Sequence, residues 1–409
     1  MKQNNLILKG KICYSLSLQE LAVFDNSYLV CEGGVSRGVF SDVPKEYESF
    51  PITDYGDSMI IPGLCDLHVH ASQYAFRGLG MDLELIDWLN THAFPEEAKF
   101  ADLEYADMAY DAFVDDMKRG ATTRACVFAT LHSPATMLLM EKLEESGLVT
   151  FVGKVNMDTN SPEYLREKDS VSDTIADTKE WIKKSQNFKN TKPIITPRFI
   201  PTCTSELLSS LNELQMQHNL PVQSHLSENK EEIEWVKRLH PDIGSYGEVY
   251  DHFGMFGDTP TIMAHCVWSE GAEEDLLKKN GVYVAHCPQS NTNISSGIAP
   301  IRRFLNKGIR VGLGSDVAGG CHTSIFRAMS DAIQVSKLYY RLIDQHETPL
   351  TEKEAFYLGT KGGGSFFGKV GSFDAGYEFD AVVLSEASLE RAIYLDASIR
   401  CKYVRGKLI

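Results

Sequence analysis

The 409-residue chain contains no CxxC pair; its nine cysteines (13, 31, 65, 126, 203, 266, 287, 321 and 401) are scattered singly. An odd, dispersed set argues against both a disulfide framework and a thiolate zinc site, so reduced thiols are expected. Basic residues never cluster beyond adjacent pairs and the formal net charge is −16, a poor footprint for a phosphate backbone, so nucleic acid is not an expected partner. No apolar run approaches the ~18 residues of a membrane span. The opening residues, MKQNNLILKGKICYS, lack the apolar core and small-residue cleavage site of a signal peptide, which makes the cytoplasm the expected compartment. Internal repeats, low-complexity tracts and Pro/Gly/Ser-rich linkers are also missing, so domain boundaries must be read from texture alone.

What is present is a change of texture along the chain. Residues 6–61 carry short β-type segments (LILKGKICY, YLVCEGGVSRGVF, MIIPG), and the far end (FDAVVLSE, CKYVRGKLI) has the same character. The two ends are expected to pair into one small β-sandwich spanning 1–62 plus 366–409. Between them eight buried-type strands recur, at 62–73, 121–130, 148–157, 192–201, 221–228, 261–269, 281–291 and 310–320, with amphipathic helices such as DMAYDAFVDDMKRG and EEIEWVKRLH after most of them. Eight parallel βα units close naturally into a (β/α)8 barrel, expected over 63–365, although an open doubly wound sheet has the same pattern.

In such a barrel the reactive groups stand at the C-terminal ends of the strands. The first strand ends in His68 and His70, two imidazoles on one face of an extended chain, followed by Gln73. Arg198 and Phe199 end the fourth, His225 and Glu228 the fifth, His265 the sixth, His286 the seventh and Asp316 the eighth. Neutral imidazoles with a carboxylate and no thiolate suit Zn²⁺ or Fe²⁺, and an incomplete protein shell leaves room for a reactive water. A strand-end histidine can equally be a hydrogen-bonded core residue, and His286, followed by Cys287-Pro288, reads better as a loop-orienting group. The remaining histidines read as loop or surface residues, with His92 and His322 the nearest to the site. The small cytidine-type deaminase scaffold is excluded, since neither its HxE nor its PCxxC occurs.

Taken in order, PGLCDLHVHASQ (62–73), PRF (197–199), SHLSEN (224–229), AHCVWS (264–269), HCPQSN (286–291) and GLGSDVAGG (312–320) resemble the guanine deaminases, a branch of the amidohydrolase superfamily of metal-dependent barrel hydrolases. The resemblance implies one Zn²⁺ per chain, with Fe²⁺ as the alternative, held by His68, His70, His225 and Asp316. It implies catalytic roles for Glu228, His265 and Asp316, and contacts to a purine base, guanine, from Gln73, Arg198, Phe199, His225, Glu228 and Asp316. A homodimer is likewise implied. The fourth strand offers Arg198 and no lysine, against the bridging carboxylated lysine of two-metal relatives. Thr292-Asn293 and Cys321-His322 depart from the branch's pattern without touching a ligand position. The rival readings are a related deaminase acting on cytosine or an adenosine derivative, a triazine hydrolase, and a silent barrel serving as a scaffold.

Overall fold

The computed structural model describes residues 4–166 and 170–409; residues 1–3 of the expected terminal unit and 167–169 of the expected central unit lie outside them. The eight expected central strands are all found. Four form a parallel sheet in chain order, Leu64–His70, Thr122–Phe128, Val149–Gly153 and Thr191–Pro193, and four form a second, Val222–Leu226, Thr261–His265, Tyr283–His286 and Arg310–Leu313. The third and fourth strands are each interrupted, and their continuations Val155–Asn156 and Thr196–Pro197 pair separately. All seven residues of Leu64–His70 and of Thr122–Phe128 are buried, the signature of parallel strands covered on both faces. The two sheets meet through the Ile195–Val222 bridge on one side. On the other, the Asp316 amide donates to the His68 carbonyl at 2.8 Å and the His70 amide to the Val317 carbonyl at 3.1 Å.

Helices between the strands follow their sequence signals. Leu103–Arg119 starts where the Asp102 side chain accepts the Glu104 amide, and it buries Ala106, Ala109, Tyr110, Phe113, Val114 and Met117, a three-four spaced stripe. Lys230–Leu239 opens on a reciprocal capping box between Asn229 and Glu232. Among the described residues no helix is long and apolar enough to cross a membrane.

The chain ends do meet. Their strands form one hydrogen-bonded sheet in the order Lys407–Leu408, Ile399–Val404, Ala381–Leu384, Ile52–Pro62, Leu6–Ser15, Leu21–Glu32, Val35–Phe40. Alternation along these strands divides their side chains between two cores: Ile12, Ile60 and Val383 enter a small cluster within the terminal unit, while Cys13, Ile61 and Val382 join the large central core. Gly63, between the terminal-sheet strand Ile52–Pro62 and the central strand Leu64–His70, passes against Thr123, whose side chain lies 2.1 Å from where a Cβ would sit.

A buried ion pair ties the terminal sheet to the second central strand. Arg124, 1% exposed, donates from Nε to Asp380 at 2.5 Å and from Nη2 to Glu378 at 2.8 Å. Lys402 donates to the carbonyls of Met117, Gly120 and Thr122, where that strand begins. Replacing Arg124 by alanine leaves the Asp380 carboxylate buried without its partner, so the urea midpoint should fall by the equivalent of about 3–5 kcal/mol.

Candidate functional site

The polar residues at the C-terminal ends of the strands converge. His68 and His70 extend from one strand with their Nε2 atoms 3.2 Å apart, and Nε2 of His225 lies 3.3 Å from that of His70. Oδ1 of Asp316 is 3.1 Å from His68 Nε2 and 3.4 Å from His70 Nε2. His265 stands beside this group, its Nε2 3.7 Å from Asp316 Oδ2 and 3.4 Å from Glu228 Oε2. The turns that aim these side chains use left-handed backbone at non-glycine residues, with φ +72° at His265 and +46° at Asp316. Such strain persists only where surrounding structure enforces it.

Two imidazoles have their second nitrogen engaged. His225 Nδ1 donates to the Arg198 carbonyl at 2.6 Å, and His265 Nδ1 donates to Asn291 Oδ1 at 2.8 Å. Each bond leaves an Nε2 lone pair facing the cluster. Burial, reinforced by the neighbouring imidazoles, pulls His70 and His225 well below the usual imidazole range. Burial alone would raise Asp316, but the imidazoles of His68, His265 and His70 outweigh it and hold the carboxyl below the usual range.

Nitrogen lone pairs at such separations repel unless a proton or a cation lies between them. Four donors about 2.05 Å from a tetrahedral zinc would be ~3.3 Å from one another, and the four separations given above run from 3.1 to 3.4 Å. These separations suit a divalent cation, and overlapping triads here could hold one: His68, His70 and Asp316; His68, His225 and His265; and His265, Cys287 and Asp316.

A cavity opens onto this cluster. Gln73, Arg198, Phe199, His70, His225, Glu228, His265 and Asp316 all reach it, so the expected residues other than the fully buried His68 share one space. Burial, and then the charge of Asp316, push the Glu228 carboxyl well above its usual range, against the opposing bond from the Ser296 hydroxyl at 3.3 Å. Arg198 is paired with a carboxylate that sequence reasoning missed: Glu97 takes Nη1 at 2.5 Å and Nη2 at 2.9 Å.

Other lining residues were also missed. Leu85, Trp88 and Leu89 come from the stretch after the first strand, and Ser290 and Ile294 from the one after the seventh. Glu232 lies behind Glu228, accepting its amide at 3.0 Å and the Tyr246 hydroxyl at 2.8 Å. Burial, and then Glu228, raise Glu232 to about 7.

Two expectations need correction. His92 packs against Gly80 and Phe76 and does not line the cavity. His322 is exposed and belongs to a separate groove with Arg77 and Asp116. A Cβ at Gly319 would lie 2.3 Å from Ser290 Oγ, and one at Gly320 would lie 2.0 Å from the Ser315 carbonyl oxygen, so packing excludes a side chain at either position. His286 does not line this cavity; it ends the strand Tyr283–His286 and borders a separate pocket with Ala299, Ile301 and Tyr339.

Comparison with known proteins gives the same direction. A model of the amidohydrolase family matches residues 59–409. The guanine deaminase of Dictyostelium discoideum is 38% identical over 94% of this chain and 90% of its own length. That of Escherichia coli K12 is 34% identical over 88% and 85%. A crystal structure of guanine deaminase from C. acetobutylicum, with guanine bound in its active site, superposes with a TM-score of 0.96 at 46% identity, covering 99% of this chain and all of that one. Matched from the strand that enters the site through to its last residue, the chain belongs to the amidohydrolase family.

Proposed function

We propose that the protein is a metal-dependent aminohydrolase that converts guanine and water to xanthine and ammonia. The observation that carries this reading is the meeting, in one cavity, of the imidazole–carboxylate cluster with an anchored guanidinium and amide, Arg198 and Gln73. It is supported by relatives named guanine deaminases and by the guanine bound in a similar structure.

The contacts at Ile195–Val222 and between His68 and Asp316 support reading the eight strands as a closed (β/α)8 barrel over 63–365. Packing of Leu29 and Tyr403, from distant strands of the terminal sheet, into one cluster supports a sheet folded over as a small sandwich of 1–62 and 366–409. A homodimer, on the strength of the resemblance alone, and a cytoplasmic location complete the reading.

In this reading His68, His70, His225 and Asp316 hold one Zn²⁺ or Fe²⁺, which when bound makes a water acidic enough to serve as nucleophile near neutral pH. The chain's own groups do the rest. Arg198 and Gln73 hold the O6 edge of guanine, and Phe199 covers a ring face, so that C2 faces the cluster. Asp316, ionised, accepts the proton released by the attacking water. Glu228, kept protonated by its burial, gives its proton to ring N3 as charge builds there. His265, with Nδ1 held by Asn291, steadies the attacking oxygen. As the tetrahedral C2 collapses, Asp316 returns its proton to the departing amine, which leaves as ammonia, while the proton of the C2 hydroxyl passes to Glu228, restoring its acid form and leaving the carbonyl of xanthine.

Replacing Glu228 by glutamine removes that proton and should lower kcat by about 10²–10⁴-fold. The wild-type rate should fall as pH rises through the elevated pKa of Glu228, and this alkaline limb should vanish in the variant. The function itself is tested by incubating purified, zinc-loaded protein with guanine and following xanthine and ammonia, expected in equal amounts. Consumption of guanine without ammonia, or no consumption, would refute it.

A further inference from the structure

Arg198 and Gln73 come from different strand ends, yet one side chain holds both. Glu97 is 1% exposed and belongs to the short helix Phe94–Ala98. Its Oε2 accepts Arg198 Nη1, while its Oε1 accepts both Arg198 Nη2 at 2.9 Å and Gln73 Nε2 at 2.8 Å. The amide of Gln73 is pinned at its other end, where Oε1 accepts the Ala318 amide at 3.2 Å. That arrangement fixes which end of the amide is donor and which is acceptor. Phe94, on the same helix, lies under the guanidinium at 4.9 Å. Every side-chain hydrogen bond described for Arg198 goes to Glu97.

We infer that Glu97 is a positioning residue that sets the selectivity of the site, by fixing in one geometry the guanidinium and the amide that read the O6 edge of the base. The inference rests on the proposed guanine reaction. A paired guanidinium presents its remaining N–H groups in a fixed plane, and a site built around such a bond discriminates strongly against a ligand that lacks the acceptor. Without Glu97 the same donors would be free to rotate, and they would no longer distinguish a base with an oxygen at position 6 from one without.

The test compares guanine with 2-aminopurine, which carries the reacting amine but no O6, in wild type, Glu97→Gln and Glu97→Asp. Glu97→Gln puts an amide where two cationic donors expect oxygen. It should lower kcat/KM for guanine by about 10²-fold, chiefly through KM, with a much smaller loss on 2-aminopurine, so that the selectivity ratio collapses. Glu97→Asp keeps the charge and should lie between the two; if Glu97→Gln fails to fold, the ratio in Glu97→Asp decides. Zinc content should not change. Equal losses on both bases, leaving the ratio unmoved, would mean a merely structural role and overturn the inference. A wild type inactive on guanine would instead overturn the functional reading on which it rests.

Discussion

Asp316→Ala should abolish ammonia release from guanine, lowering kcat by at least about 10⁴-fold. Two losses combine in this variant. The proton carried from water to the departing amine loses its acceptor, and general acid–base transfer of this kind is worth about 10²–10⁴-fold on its own. The cluster also loses its anionic member: Oδ1 lies within 3.4 Å of both His68 and His70 Nε2, and three neutral imidazoles hold a divalent cation less well than three with a carboxylate. Metal analysis of the purified variant should accordingly find substoichiometric zinc. The rest of the fold should persist, since the backbone amide of residue 316 still donates to the His68 carbonyl. An Asp316→Ala protein that turned over guanine at an appreciable rate would remove this carboxylate from the mechanism.

The second large effect is expected at Arg198. Truncation to alanine deletes the donors assigned to O6 and leaves Glu97 buried with only the Gln73 amide as partner. Two readouts follow. Activity on guanine should drop by ~10³-fold or more, because a hydrogen-bonding site left unpaired loses both the bond and the desolvation already incurred. Stability should fall by about 3–5 kcal/mol, the range for breaking a buried pair from one side. Arg198 is thus both half of a buried salt bridge and part of the cavity wall, and the two roles separate by substrate: a base lacking O6 should be far less affected than guanine. Uniform losses across bases would leave only the salt bridge.

The imidazole–carboxylate cluster is legible in the chain because its members end apolar runs, and a strand's two-residue period places His68 and His70 on one side without further information. Once these runs are recognised as parallel strands, His225, His265 and Asp316 follow by position, as do Gln73 and Arg198. Glu97 is not legible in this way. It sits in FPEEAKF beside Glu96, a stretch that looks like any solvated helix start, and nothing local distinguishes the carboxylate that will be 1% exposed. A buried Arg198 demands a counter-charge, but the choice among 56 acidic residues is made by tertiary packing. Trp88 and Ile294 are hidden for the same reason, since they reach the cavity from stretches beyond the strands, where no period applies. The misplacement of His92 and His322 has the converse cause: nearness in sequence to Gln73 or Asp316 does not survive the turns that follow a strand end.

The most direct test of the central claim is a comparison of kcat/KM for guanine, adenine, cytosine and a chlorinated triazine, using one zinc-loaded preparation. The predicted result is efficient ammonia release from guanine, with adenine and cytosine lower by ~10⁴-fold, the discrimination available to a site built to bond an oxygen at position 6. Turnover of cytosine or an adenine derivative at a rate equal to or above that of guanine, or dechlorination of the triazine without guanine deamination, would contradict the account.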